Sequence, residues 1–168
     1  FAQWPANQAN VSRWNEVADR EGFIVVYPSG TGFPKRWRTS PDQGDGFTAD
    51  ITFINDLIVR LEQDYNIDPA RIYANGLSNG AGMTLALGCE LSERIAATAG
   101  VGGAYIYKLQ DCKPARTVPM IAFHGTADPI VPYYGGPSEG FDIPFPNIPA
   151  WMEERAALNG CDTTPIMM

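Results

Sequence analysis

Gly76-Leu77-Ser78-Asn79-Gly80 reads G-x-S-x-G, and it falls between a strand-forming run and a helix-forming one. A serine hydroxyl is a weak nucleophile until a base takes its proton and the backbone lifts it clear of its surroundings. A sharp strand-to-helix turn does the lifting, at a cost in backbone strain. On this reading Gly76 and Gly80 remove Cβ atoms that would clash in the turn. The helix that begins there aims its first N–H groups at the site, so the N–H of Asn79 is the expected donor to an oxyanion. The chemistry such a turn serves is acyl transfer through Ser78.

A serine of this type needs an acid and a histidine, in the chain order Ser, Asp, His. Asp128 is the candidate acid, a few residues past an apolar run that ends at Phe123. A loop in that place lies at the carboxyl edge of a parallel sheet, where such sites assemble. The competing reading of Asp128 is a turn residue ahead of Pro129. The sequence holds one histidine, His124, and it precedes Asp128. That is the wrong place for a catalytic base in this order, so His124 is expected to be structural and to order the acid loop. Tyr133 and Tyr134 follow Asp128 and, with Trp37, are the candidates for a substrate cleft. Phe33 and Tyr105 are further loop aromatics, and all five could instead pack the core.

The elements that must position these residues are legible from periodicity. Asn10 or Ser12 caps a helix with Val11, Trp14, Val17 and Ala18 on one face, stopped by Gly22. Phe23–Tyr27 is a short apolar run closed by Pro28, which predicts a strand buried on both faces. Residues 29–47 read as loop, and Ile51, Ile54, Leu57, Ile58 and Leu61 predict an amphipathic helix over roughly 49–66. Strands follow at Arg71–Asn75, Ile95–Val101 and Val118–Phe123, with a helix from about Ser78 to Glu90 between the first two. Residues 125–147 read as loop, and Ile148–Leu158 as a last helix stopped by Asn159-Gly160. Helices and strands in alternation imply parallel strands with helices on both faces.

Composition excludes several functions. With 168 residues, 45% hydrophobic and 18% charged, the chain suits one domain with a real core. A net charge of −7 and the lack of a basic run argue against nucleic acid as a partner. No apolar stretch approaches the ~20 residues of a membrane span. No cofactor or metal is expected, since one histidine and scattered carboxylates give no zinc-spaced cluster, and no phosphate loop or dinucleotide fingerprint occurs.

Four blocks together carry a resemblance: Glu21–Pro28, Asp68–Tyr73, Gly76–Ala81 and His124–Asp128. In this order they resemble the polyhydroxybutyrate-depolymerase and feruloyl-esterase group of secreted α/β-hydrolases, over about residues 8 to 161. The resemblance implies an α/β-hydrolase-type parallel sheet and cleavage of hydroxycinnamoyl, short acyl or polyester substrates, aromatic polyesters included. It implies Ser78 as nucleophile, Asp128 as triad acid and a non-catalytic histidine at position 124. It also implies secretion.

Departures from the group shape the expectation. A first strand with its oxyanion loop, and a last strand with the loop bearing the catalytic histidine, are expected on either side of what residues 1–168 span, so these residues read as a single partial domain. Open sheet edges in such a piece would invite pairing with another chain. The alternative reading is a catalytically weak homologue that binds esters or polymers, or that needs a histidine from another chain. Cys89 follows the elbow helix and Cys112 precedes the last strand, so a Cys89–Cys112 bridge is sterically open to them, with three free thiols as the competing reading.

Overall fold

The helical pattern near the start of the chain builds two helices rather than one. α1 (Pro5–Ser12) and α2 (Trp14–Glu21) meet at Arg13, whose φ of 53° ends the first and caps the second. Arg13 is held there by its own side chain, which donates Nε–H to Glu16 at 2.7 Å. These observations come from a computed structural model that describes residues 4–138 and 141–164. The chain divides into two compact units, Phe1–Trp37 and Arg38–Met168.

In the first unit Gly22, at φ 72°, stops α2 as expected. The strand expected at Phe23–Tyr27 is not there, and this expectation is corrected: the run carries no strand pairing among the described residues. Phe23, Ile24 and Val26 are 44%, 49% and 41% exposed. An apolar run becomes a strand only where a neighbouring backbone accepts its ladder of hydrogen bonds. Hydrophobicity alone supplied no such neighbour. The remaining features of the unit are local, such as Lys35 Nζ over the Trp4 ring at 4.5 Å and a bridge between Thr31 and Arg36.

The second unit is built around one buried helix. α3 (Asp45–Asp64) starts earlier than its apolar spacing predicts and buries Phe47, Asp50, Ile54 and Ile58. Asp50 is the polar member of that face, and it accepts the Arg38 N–H at 2.7 Å. β1 (Tyr73–Leu77) runs into α4 (Asn79–Glu90), in which every residue from Ala81 to Cys89 is buried. A helix apolar on all sides belongs in a core. Met83, Leu85 and Leu87 there each contribute about 1.5–3 kcal/mol of burial. β2 (Ala97–Val101) and β3 (Met120–Phe123) complete a parallel sheet of order β1-β2-β3, in register Gly76 with Gly100 and Gly100 with Ala122. α4 packs on this sheet. Leu77, Val101 and Phe123 stand side by side in the register, and all three are exposed.

A disulfide joins Cys89, at the end of α4, to Cys112, in the connection between β2 and β3, with the Cα atoms 5.2 Å apart. Cys161 is free and exposed. The expectation of loop throughout 125–147 is corrected by a ribbon, β4 (Gly136–Ser138) antiparallel to β5 (Phe141–Phe145). Its proline- and glycine-rich sequence hid it, because a two-stranded ribbon needs no long apolar alternation. α5 (Ile148–Leu158) has the expected bounds, opened by the Asn147 side chain accepting the Ala150 N–H at 3.0 Å. No helix among the described residues is long and apolar enough to cross a membrane.

Candidate active site

Ser78 is the hinge between β1 and α4. Its φ of 55° and ψ of −117° make it, with Arg13, one of two positive-φ residues other than glycine among the described residues. A side chain in that region carries a strain of about 1–3 kcal/mol, which persists only where the surroundings enforce it. The surroundings here are backbone. The Ser78 N–H donates to Val101 O at 2.9 Å, and the Ser78 carbonyl accepts from Ala81, Gly82 and Ala104 at 3.0, 3.1 and 3.1 Å. The side chain is left half-buried at the turn, and its hydroxyl makes no hydrogen bond to a described residue. Asn79 is the first residue of α4, where backbone N–H groups point out along the helix axis.

The two elbow glycines turn out to be different. A Cβ on Gly76 would overlap the Gly80 carbonyl group and crowd the Ala81 nitrogen. A Cβ on Gly80 would meet nothing within 4 Å. The expectation that both relieve a clash is therefore corrected: Gly76 alone does so, because only its Cα faces the backbone of the returning helix. Gly80 lends its carbonyl to the contact and leaves open space on its own outer side.

Asp128 sits one strand beyond the neighbour of β1. Its N–H donates to Gly125 O at 3.2 Å, and its Oδ1 accepts from the N–H groups of Ile130 and Val131, both at 2.9 Å. Its Oδ2 points toward Gly102, 3.4 Å from where a Cβ on that glycine would stand. Gly102 follows Val101 directly and donates its own N–H to Phe123 O at 2.8 Å. A short path thus connects the two sites: Ser78 bonds to Val101, and the next residue is the glycine toward which Asp128 Oδ2 points. Ser78, Gly102 and His124 each follow the last residue of a parallel strand, so one carboxyl edge gathers the elbow and the acid loop.

His124 lies in that loop with its side chain 4% exposed. Its Nε2 is 2.8 Å from Val131 O and 3.6 Å from Asp128 Oδ2. Tyr133 tilts against its ring at 6.0 Å between centroids, and Tyr134 meets Tyr133 edge-on at 5.1 Å. The backbone of the tyrosine pair is tied to α5, since Tyr133 O accepts the Ile148 N–H at 2.9 Å and Tyr134 O accepts Asn147 Nδ2 at 3.2 Å. Tyr134 is 72% exposed. Trp37 is half-buried and closes the first unit, whereas the tyrosines belong to the second. Phe33 is fully exposed.

Tyr105 does not line a cleft. It is buried, stacked on Trp151 at 4.2 Å between ring centroids, and packed beneath Gly100 and Gly103. Burial pushes its phenol up to about 12. It packs beneath β2 and the glycines that follow it, which is the core-packing alternative that the sequence left open. Sequence reading missed Gly102, although the Gly102-Gly103 pair just past a strand end was a signal for close approach.

With this geometry in place, known proteins give it a family. Residues 36–138 match the phospholipase/carboxylesterase family. The chain belongs to that family. Phospholipase/carboxylesterase proteins have the α/β-hydrolase fold, and the parallel β1-β2-β3 sheet with its elbow is part of that architecture. The chain is similar to feruloyl esterase B of Piromyces equi, 34% identical over 98% of this chain and 31% of that protein. A bifunctional acetylxylan esterase/xylanase of Neocallimastix patriciarum is 34% identical over 78% of this chain and 18% of that protein. A poly(3-hydroxybutyrate) depolymerase of Ralstonia pickettii is 33% identical over 45% of this chain and 17% of that protein. The chain therefore spans less than a third of the length of each of these relatives.

Proposed function

We propose that these residues are part of a single α/β-hydrolase domain that hydrolyses carboxylic esters through an acyl-serine intermediate, with Ser78 as nucleophile and Asp128 as the acid of the triad. The carrying observation is the conformation of Ser78, held at φ 55° by backbone bonds on the sheet edge that also bears Asp128. Ser78 Oγ attacks the ester carbonyl carbon while a histidine base takes its proton. The Asn79 N–H donates to the developing oxyanion. The alkoxide leaves with the proton from the base, and water then releases the acid by the reverse steps. Asp128 orients the base and stabilises its charge.

The base is a histidine other than His124. The support is that His124 Nε2 is engaged with Val131 O at 2.8 Å inside the loop, and the ring is buried. The substrates are esters of hydroxycinnamic acids, short acyl esters or polyesters, in keeping with the names of the relatives. Tyr133 and Tyr134, beside the acid loop, are the aromatic wall against which such a substrate would lie. Secretion fits the Cys89–Cys112 disulfide, which persists in oxidising compartments.

A fluorophosphonate probe tests the nucleophile. It should label the protein, and Ser78→Ala should abolish labelling. Labelling that survives the substitution would sink the assignment.

A further inference from the structure

Asp128 uses its two carboxylate oxygens differently. Oδ1 is engaged with two backbone N–H groups, of Ile130 and Val131, while Oδ2 faces Gly102 at the sheet edge. A carboxylate turns readily about its last torsion, so something must keep this division. His124 is placed to do it. A carbonyl oxygen only accepts, so the contact of 2.8 Å between His124 Nε2 and Val131 O puts the hydrogen on Nε2. Val131 is then held at both of its backbone groups, its carbonyl by His124 and its N–H by Asp128 Oδ1. The same His124 N–H lies 3.6 Å from Asp128 Oδ2. That is too long for a hydrogen bond, yet its dipole favours negative charge on that oxygen. The ring is buried, so water does not compete for this contact.

We propose that His124 is a positioning residue for the reaction: as the Nε2–H tautomer it clamps Val131, so that Asp128 keeps Oδ1 on the backbone and presents Oδ2 to the base serving Ser78. This rests on the reading of Asp128 as the triad acid.

In a long-range proton–nitrogen spectrum of the esterase at neutral pH, the ring whose signals vanish in His124→Phe is that of His124. Nε2 should be protonated and Nδ1 bare. A ring protonated at Nδ1 alone overturns the proposal whatever the activity. In the esterase, His124→Phe should lower kcat on the order of tenfold to a hundredfold with KM unchanged. It should also speed amide exchange at Ile130 and Val131. His124→Gln, whose amide can donate to the same carbonyl, should recover most of both. In an Asp128→Asn background His124→Phe should cost little more. Losses that multiply in the double variant, or a Gln variant no better than Phe, overturn the proposal. Hydrolysis that persists in Ser78→Ala ends the nucleophile reading instead, and the tautomer and exchange results still decide His124.

Discussion

The turn after β1 and the loop after β3 deliver side chains to the same sheet edge, but different forces hold them. The elbow is held by steric fit. Gly76 admits the backbone of α4, and α4 is buried from Ala81 to Cys89. The acid loop is held by polar bonds: Asp128 to two N–H groups, His124 to Val131, and Ser138 Oγ to Ile130 O at 2.6 Å. Close packing is intolerant of an added atom and indifferent to protonation. A hydrogen-bonded loop tolerates added volume at its rim and fails when one acceptor is lost. The proposed site thus joins a rigidly held Ser78 to a carboxylate whose position is chemically adjustable.

The largest test of this contrast lies in the elbow glycines. Gly76→Ala drives a methyl into the Gly80 backbone and should destabilise by roughly 3 kcal/mol or more in urea unfolding. Gly80→Ala meets open space near a helix start and should leave stability unchanged or gain up to ~1 kcal/mol. Equal losses from the two would refute the division of labour between them.

The acid loop should break by a smaller and more local route. Asp128→Ala removes the acceptor of two N–H groups, and a cost of about 2 kcal/mol is expected. Amide exchange should quicken at Ile130 and Val131 while α4 stays protected. Exchange rising across α4 as well would mean that the two regions are one cooperative unit.

Strain at Ser78 gives a third measure. Ser78→Gly frees a residue held at φ 55°, so stability should rise by about 1 kcal/mol as probe labelling is lost. A loss of stability would show that the serine side chain contributes packing that outweighs its backbone strain.

The smallest effect is a pH slope set by Tyr105 beneath β2. The Tyr105 phenol has an ordinary value of 10.0 and is raised to about 12 by burial. Below pH 10 it is neutral in both states. Above that the unfolded chain releases a proton that the folded one retains, so stability falls as pH rises toward about 12. Tyr107 is shifted the same way, first by burial and then by its bond to Glu90. Tyr105→Phe should flatten the alkaline loss in thermal melts and cost little at neutral pH. Among the described residues its hydroxyl has no partner to lose.

Much of the framework was readable because it depends on local pattern. The bounds of α5 matched, and the predicted helix at Ser78–Glu90 differs from α4 by one residue. β1 was displaced by two residues, to Tyr73–Leu77, because the ladder with β2 rather than apolar content sets where a strand ends. Phe23–Tyr27 failed for the same reason, having the composition of a strand without a partner. Arg13 broke a predicted helix in two, since a left-handed residue leaves no mark in hydrophobic spacing.

The sequence by itself determined the elbow motif, the order of the elements from β1 to β3 and the types of residue available for chemistry. These follow from periods and small residues acting over a few positions. Only the tertiary structure decided which elbow glycine relieves a clash, that Gly102 faces Asp128 and Tyr105 packs beneath β2, and which oxygen of Asp128 is engaged. The reason is physical. Each of those facts is a contact between segments distant along the chain, set by strand register and by the packing of α4, and no local pattern encodes where a remote backbone will pass.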